Sequence, residues 1–171
     1  GLMFTASHNP PEWNGLKVFH GDGSLLLDDE TGKIQSETNR LPLEEVIKID
    51  LDIALESGIV QPGDFTNQYV DAVETLINLD AIRQAGLKVI VDPMYGVGQL
   101  TLGTIRTDAR CRVPFIHARH NPLFGGRSPA PNLDALRLLA THVVEDRYDL
   151  GLATDGDADR IAIVDERGEY I

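Results

Sequence analysis

Asp149-Leu150-Gly151-Leu152-Ala153-Thr154 runs directly into Asp155-Gly156-Asp157-Ala158-Asp159-Arg160, and Ile161-Ala162-Ile163-Val164-Asp165 follows. The first stretch reads as a buried strand. The second places aspartates at i, i+2 and i+4, with only Gly156 and Ala158 between them. The third reads as another strand, turned by Glu166-Arg167-Gly168. The acidic loop therefore leaves the carboxyl end of a strand, where ligands sit in open α/β sheets.

Working back toward the N-terminus, strand and helix signals alternate. Asn132 or Asp134 can cap a helix with Leu133, Leu136, Leu139, Ala140 and Val143 on its apolar side. A Gly/Pro-rich loop over 119–132 precedes it. Val113-Pro114-Phe115-Ile116-His117 reads as a strand, with Pro114 confined to its start or to a sheet edge. Gly96-Val97-Gly98 opens a helix reaching about Thr107. Leu87-Lys88-Val89-Ile90-Val91-Asp92-Pro93 is a buried strand ending in an acid and a proline. Phe65, Tyr69, Ala72, Val73, Leu76 and Ile77 fall on one helical face. This alternation from about 65 to 155 predicts an α/β fold, a mostly parallel sheet flanked by helices.

The first 64 residues are less regular. Residues 2–5 read as a strand, 6–14 as a loop, and Leu16-Lys17-Val18-Phe19 as a second strand. Gly21-Asp22-Gly23 turns the chain, and 28–39 suits a helix despite Gly32. The acidic stretch from 41 to 64 reads as a linker with some helix. Three parts result: a partial α/β domain at 1–40, the linker at 41–64, and an α/β domain at 65–171.

The totals narrow the function. A net charge of −12 over 171 residues argues against non-specific nucleic-acid binding, which needs clustered Lys and Arg. One cysteine, Cys111, permits no intrachain disulfide and reads as an apolar filler, so a reducing, cytoplasmic setting is expected. No apolar run is long enough to span a membrane. The chain opens on a strand and stops just past a turn, so it reads as a piece of a longer protein.

Three carboxylates in so short a loop demand a counter-charge, and their oxygens suit a hard cation. Asp155, Asp157 and Asp159 match the first ligands of an EF-hand, and Glu166 falls on its last. Arg160 stands where that loop needs glycine, and a strand occupies its second half, so the EF-hand is rejected. Mg²⁺ fits better, since it commonly takes one or two carboxylates plus a phosphate. Arg160 either neutralises the acids or contacts a phosphoryl oxygen. At the other end of the chain, Thr5-Ala6-Ser7-His8-Asn9-Pro10 presents the Ser7 hydroxyl at a strand tip. A Gly-x-Ser-x-Gly elbow is absent, and adjacent Ser7 and His8 make no triad signal. His8 reads as a loop hydrogen-bonder, and Lys17 as either a surface residue or an acid/base group close to Ser7.

Thr5-Ala6-Ser7-His8-Asn9-Pro10, with Pro11-x-x-Asn14-Gly15-x-Lys17, resembles the phosphoserine loop of the α-D-phosphohexomutases, which include phosphoglucomutase and phosphomannomutase. Thr154-Asp155-Gly156-Asp157-Ala158-Asp159-Arg160 resembles the metal loop of the same family. The run from Asn121 to Pro131 resembles a loop of that family's second domain. The resemblance implies that 1–40 ends the first of four domains and 41–171 forms the second, with domains 3 and 4 lying outside the chain. It implies a phosphoryl transfer between the 1- and 6-positions of a glucose or mannose phosphate, through phospho-Ser7 and a hexose bisphosphate. Ser7, Asp155, Asp157 and Asp159 would hold Mg²⁺, Arg160 would face the phosphoryl group, Lys17 would move a proton, and His8 would assist. Thr5 favours the glucose/mannose branch over the phosphoglucosamine branch.

Two other readings compete. One is a Mg²⁺-dependent phosphohydrolase with Asp155 as nucleophile. The other is a catalytically inactive metal-binding fragment. With its flanking strands outside the chain, Ser7 is expected to be displaced or mobile, and the metal loop to be the half that is formed.

Overall fold

The computed structural model describes residues 1–171. They form two compact units, Gly1–Met3 with Leu16–Phe65, and Phe4–Gly15 with Thr66–Ile171. No helix is long and apolar enough to cross a membrane.

The first unit holds little buried apolar surface. Strand β1 (Leu2–Phe4) pairs with β2 (Leu16–Val18) in a two-stranded sheet. Helix α1 (Asp28–Arg40) opens on Asp28, Asp29 and Glu30, acids that suit the positive end of the helix dipole. Glu30 accepts the Leu27 N–H at 3.0 Å, which satisfies one of the orphan donors. Gly32 does not break the helix. A 3-10 turn at Leu43–Glu45 and helix α2 (Leu51–Glu56) follow, the latter capped by Asp50. Ala54 is the one buried apolar residue of this unit.

The second unit carries the core. Helices α3 (Thr66–Glu74) and α4 (Leu79–Ala85) lead into strand β3 (Val89–Asp92). Helix α5 (Gly98–Asp108), helix α6 (Arg137–Glu145) and strands β4 (Leu150–Thr154) and β5 (Ile161–Asp165) complete it. The sheet order is β3-β4-β5. β3 and β4 run parallel, with Asp92 opposite Ala153. β5 returns antiparallel, with Thr154 opposite Ile161, so the parallel character stops at β4. One face of the sheet packs on α6 through Ile90, Met94, Leu136, Leu139, Val143, Ala153, Ala162 and Val164. Burying an aliphatic side chain of this kind contributes roughly 1.5–3 kcal/mol.

Four local expectations change. The 113–117 strand is reduced to one parallel bridge, Val91 to Phe115. Pro114 has no N–H for the ladder, the Arg106 guanidinium takes the Val113 carbonyl, and His117 turns into the left-handed region at φ 49°. The apolar face of α3 is rotated: Val70 is buried, while Phe65, Tyr69 and Leu76 are exposed. Leu133 is also exposed, because Asn132 caps a turn at Ala135 N and α6 starts only at Arg137. Helix α4 carries no clear apolar stripe in the sequence and is bounded by the Asn78 cap and by Gly86 at φ 61°.

Candidate active site

The β4–β5 connection is the acidic loop, and the hairpin sets its shape. Asp155 N donates to Arg160 O at 3.4 Å and Ala158 N to Asp155 O at 3.2 Å, with Ala158 in the left-handed region at φ 62°. That conformation is unfavourable for a residue with a Cβ, by roughly 1–2 kcal/mol. The turn brings carboxylate oxygens of Asp155, Asp157 and Asp159 within 4.8 Å of one another. Asp155 is fully buried, Asp157 half-buried and Asp159 exposed, so the cluster opens outward from its buried end.

The Ser7 loop lies against the buried end. Ser7 is itself left-handed, at φ 53°. Its Oγ donates to Asp155 Oδ2 at 3.0 Å, across 148 residues of sequence. Ser7 is thus seated against the acidic loop, not displaced from it. Thr5 Oγ1 accepts the Ser7 N–H at 2.9 Å and donates to Asp157 Oδ2 at 2.9 Å. This hydroxyl fixes the serine backbone and an acid at once. From the sequence, Thr5 speaks only to the branch of the family. A hydroxyl two residues before Ser7 is the available signal, since such side chains bond nearby backbone.

Arg160 completes the arrangement. Its backbone N–H donates to Asp155 Oδ1 at 3.2 Å, and Nη2 donates to Ser7 Oγ at 3.3 Å. Nε lies 3.7 Å from Asp155 and 3.8 Å from Asp159. Nη1 is 2.6 Å from His8 Nδ1. A guanidinium only donates, so His8 Nδ1 is the acceptor and the ring proton is on Nε2. The single hydroxyl hydrogen of Ser7 goes to Asp155, and His8 Nδ1, 3.4 Å from Ser7 Oγ, is already engaged by Arg160. His8 therefore orients Arg160 in this arrangement and takes no proton from Ser7.

Two glycines let these loops meet. A Cβ on Gly156 would lie 2.4 Å from Ser7 O, and one on Gly96 would lie 2.5 Å from Gly156 O. Any larger residue at either position pushes backbone apart. Ser128 Oγ donates to His8 O and holds the serine loop from the far side. No sequence signal marks Ser128, because its partner is 120 residues away. Lys17 belongs to the first unit, where it lies half-buried on β2.

At an effective dielectric of about 20, carboxylates roughly 4–5 Å apart repel by about 3–4 kcal/mol per pair. Arg160 lies against two of the three, Asp155 and Asp159. The donor set is all oxygen and converges from one short loop, so it fits a hard divalent cation such as Mg²⁺.

Known proteins resemble this chain in sequence and fold. The phosphoglucomutase/phosphomannomutase alpha/beta/alpha domain II family matches residues 67–168, and alpha/beta/alpha domain I of the same family matches residues 1–45. A phosphoglucosamine/phosphogalactosamine mutase of Sulfurisphaera tokodaii is 31% identical over 98% of this chain and 36% of its own length. A phosphoglucomutase/phosphomannomutase of Thermococcus kodakarensis is 32% identical over 100% of this chain and 36% of its own. Among solved structures, the open form of parafusin, a phosphoglucomutase from Paramecium, superimposes with a TM-score of 0.80 at 25% identity, covering 100% of this chain and 36% of that one. The chain spans about 36% of the length of the curated relatives it matches. With more than half of its residues matched by domain II alone, the chain belongs to the phosphoglucomutase/phosphomannomutase family.

Proposed function

We propose that this chain is the donor-loop and metal-loop part of a phosphohexomutase. The enzyme moves a phosphoryl group between the 1- and 6-positions of a hexose phosphate, by way of phospho-Ser7 and a hexose bisphosphate. The observation that carries this reading is the Ser7 hydroxyl held between Asp155 and Arg160. Residues 1–40 are read as the end of the phosphoserine domain, 41–64 as a linker and 65–171 as the metal-loop domain. Family matches at 1–45 and 67–168 support that division.

In the first half-reaction the Ser7 Oγ–P bond breaks as a bond forms from phosphorus to the free sugar hydroxyl. Lys17 Nζ takes the proton of that hydroxyl and passes it to the departing Ser7 Oγ. In the second half-reaction the bond from the other phosphate to its sugar oxygen breaks as phosphorus bonds Ser7 Oγ, and Lys17 carries the Ser7 proton to the sugar oxygen left behind. Arg160, anchored by His8, follows the phosphoryl oxygens with its guanidinium fork. Asp155, Asp157 and Asp159, with a Ser7 phosphate oxygen, would hold Mg²⁺, whose charge offsets that of the transferring group when bound. Both Asp155 oxygens are engaged, by Arg160 N and Ser7 Oγ, which disfavours the phosphohydrolase reading with Asp155 as nucleophile.

The share of the relatives that is covered supports further domains in the working enzyme, which would choose the sugar and bind its phosphate. The relatives' names include both glucosamine and glucose/mannose phosphates, so the substrate is proposed at the level of hexose phosphate. A cytoplasmic site of action fits such a reaction. The 171 residues alone are expected to turn over nothing. The test is to incubate the full-length protein with a hexose 1,6-bisphosphate and locate the phosphate by mass spectrometry. Phosphate on Ser7 is expected; phosphate only on Asp155 or elsewhere refutes the donor assignment.

A further inference from the structure

The end of β3 carries a second charge cluster, buried at Asp92 and half-buried at His117 and Arg127, that the proposed chemistry does not use. Asp92 is fully buried. Its Oδ1 accepts Met94 N at 2.8 Å, and its Oδ2 lies 2.8 Å from His117 Nδ1. An ionised carboxylate only accepts, so His117 carries its proton on Nδ1 and donates it. Arg127 Nη2 is 3.2 Å from the same nitrogen. Two donors cannot bond each other, so the guanidinium acts there as a positive charge beside the Asp92–His117 pair. The Tyr95 ring lies against the His117 ring, tilted by 40° at a centroid distance of 4.9 Å, and Tyr95 N donates to His117 O at 2.8 Å.

Around this cluster the backbone is strained. Met94, Tyr95 and His117 have φ of 50°, 62° and 49°. Non-glycine residues hold such conformations only where their surroundings over-determine them. Two loops leave the cluster, and both end at the Ser7–Asp155 site. From Tyr95 the chain passes to Gly96, packed under Gly156 O, and to Val97, whose N–H donates to Gly156 O at 3.1 Å. Beside Arg127, Ser128 bonds His8 O, and Pro129 packs against Gly156, its Cγ 3.1 Å from where a Cβ would stand.

We infer that Asp92, His117 and Arg127 form a positioning cluster that sets the separation of the two loops gripping Gly156 and His8, and so the alignment of Ser7 with the metal loop. None of the three need touch substrate. The inference rests on the reading of Asp155, Asp157 and Asp159 as a cation site, and its test separates the two.

Amide ¹⁵N–¹H spectra of the 171-residue chain compare the unaltered protein with His117→Ala and His117→Asn. His117→Ala is expected to shift or broaden the Ser7, His8 and Gly156 amides while Leu139, Ala162 and Val164 stay in place. His117→Asn keeps an N–H at the reach of Nδ1 and is expected to restore them. If His117→Ala disturbs the core amides too, Arg127→Ala takes its place with the same expectation. Unmoved Ser7, His8 and Gly156 amides in a folded variant overturn the inference, and so does a failure of His117→Asn to restore them. In parallel, Mn²⁺ alone is titrated by electron paramagnetic resonance. Affinity is expected to fall about tenfold in His117→Ala and to recover in His117→Asn. Equal affinity in all three overturns the claim on the metal loop. Absence of Mn²⁺ binding to the unaltered chain refutes the cation site itself, and the amide spectra then decide the positioning role alone.

Discussion

Asp92 ends β3 and Asp155 directly follows the neighbouring parallel strand β4, and both carboxylates are fully buried. Each has a backbone N–H on Oδ1, and each has a histidine and an arginine close by. Their chemistry diverges through their partners. At Asp92 the histidine donates to the carboxylate, the arginine adds charge, and Pro93 and Met94 bring no further acids. That group is neutralised from within the fold. At Asp155 the partner is a hydroxyl, the arginine is shared with His8, and two more carboxylates follow in the same loop. That group shares its loop with acids that open toward solvent. A buried acid paired inside the fold serves the fold, and one that meets a hydroxyl and further acids toward the surface offers oxygens to a cation.

Four changes test this contrast. Removing the proposed donor has the largest effect: Ser7→Ala in the full-length protein is expected to lower the proposed mutase turnover by at least about 10³–10⁴-fold, with stability little changed. A coupled assay reads the rate, and near-normal turnover breaks the assignment of Ser7. Next comes Asp157→Ala, which leaves Asp155 buried but takes a proposed ligand from the acidic cluster. A loss of about 10²–10³-fold in Mg²⁺-dependent transfer is expected. Activity unaltered across a Mg²⁺ titration removes the acidic loop from the mechanism.

Asp92→Asn probes the closed site. It keeps the acceptor for Met94 N but loses the charge facing His117. Unfolding in urea is expected to show a stability loss of about 1–3 kcal/mol. No change would mean that the pair contributes nothing net to the fold.

The smallest effect concerns a third aspartate, Asp165, at the far end of β5. The Glu169 N–H, then the Arg167 side chain and N–H, hold its carboxyl below the ordinary aspartate range. Between that lowered native value and the unfolded value of about 3.9, the unfolded chain binds more protons. The contribution of Asp165 is therefore complete above about pH 4 and is lost as pH falls through the native value. Asp165→Asn is expected to flatten the acid limb of a stability–pH curve. A curve of unchanged slope contradicts that account.

The sequence made the acidic loop legible because connectivity alone holds i, i+2 and i+4 carboxylates together. Periodicity made β3, β4, β5 and most helices legible, because apolar patterning reports local geometry. It failed where distant partners intervene. Val113–His117 reads as a strand until Arg106 and the missing Pro114 N–H deny it a ladder. The α3 face reads as six apolar positions, yet Val70 is the residue that its neighbours bury.

For Ser7 and the Asp loop, composition and spacing determined which groups are present: one hydroxyl, three carboxylates, one guanidinium. Tertiary structure decided that they meet. Ser7 reaches Asp155 across 148 residues, and Asp92 reaches His117 across 25. No local propensity encodes either distance. Both depend on loops brought together by the packed sheet and on glycines small enough to let backbones touch, and those are properties of the whole fold.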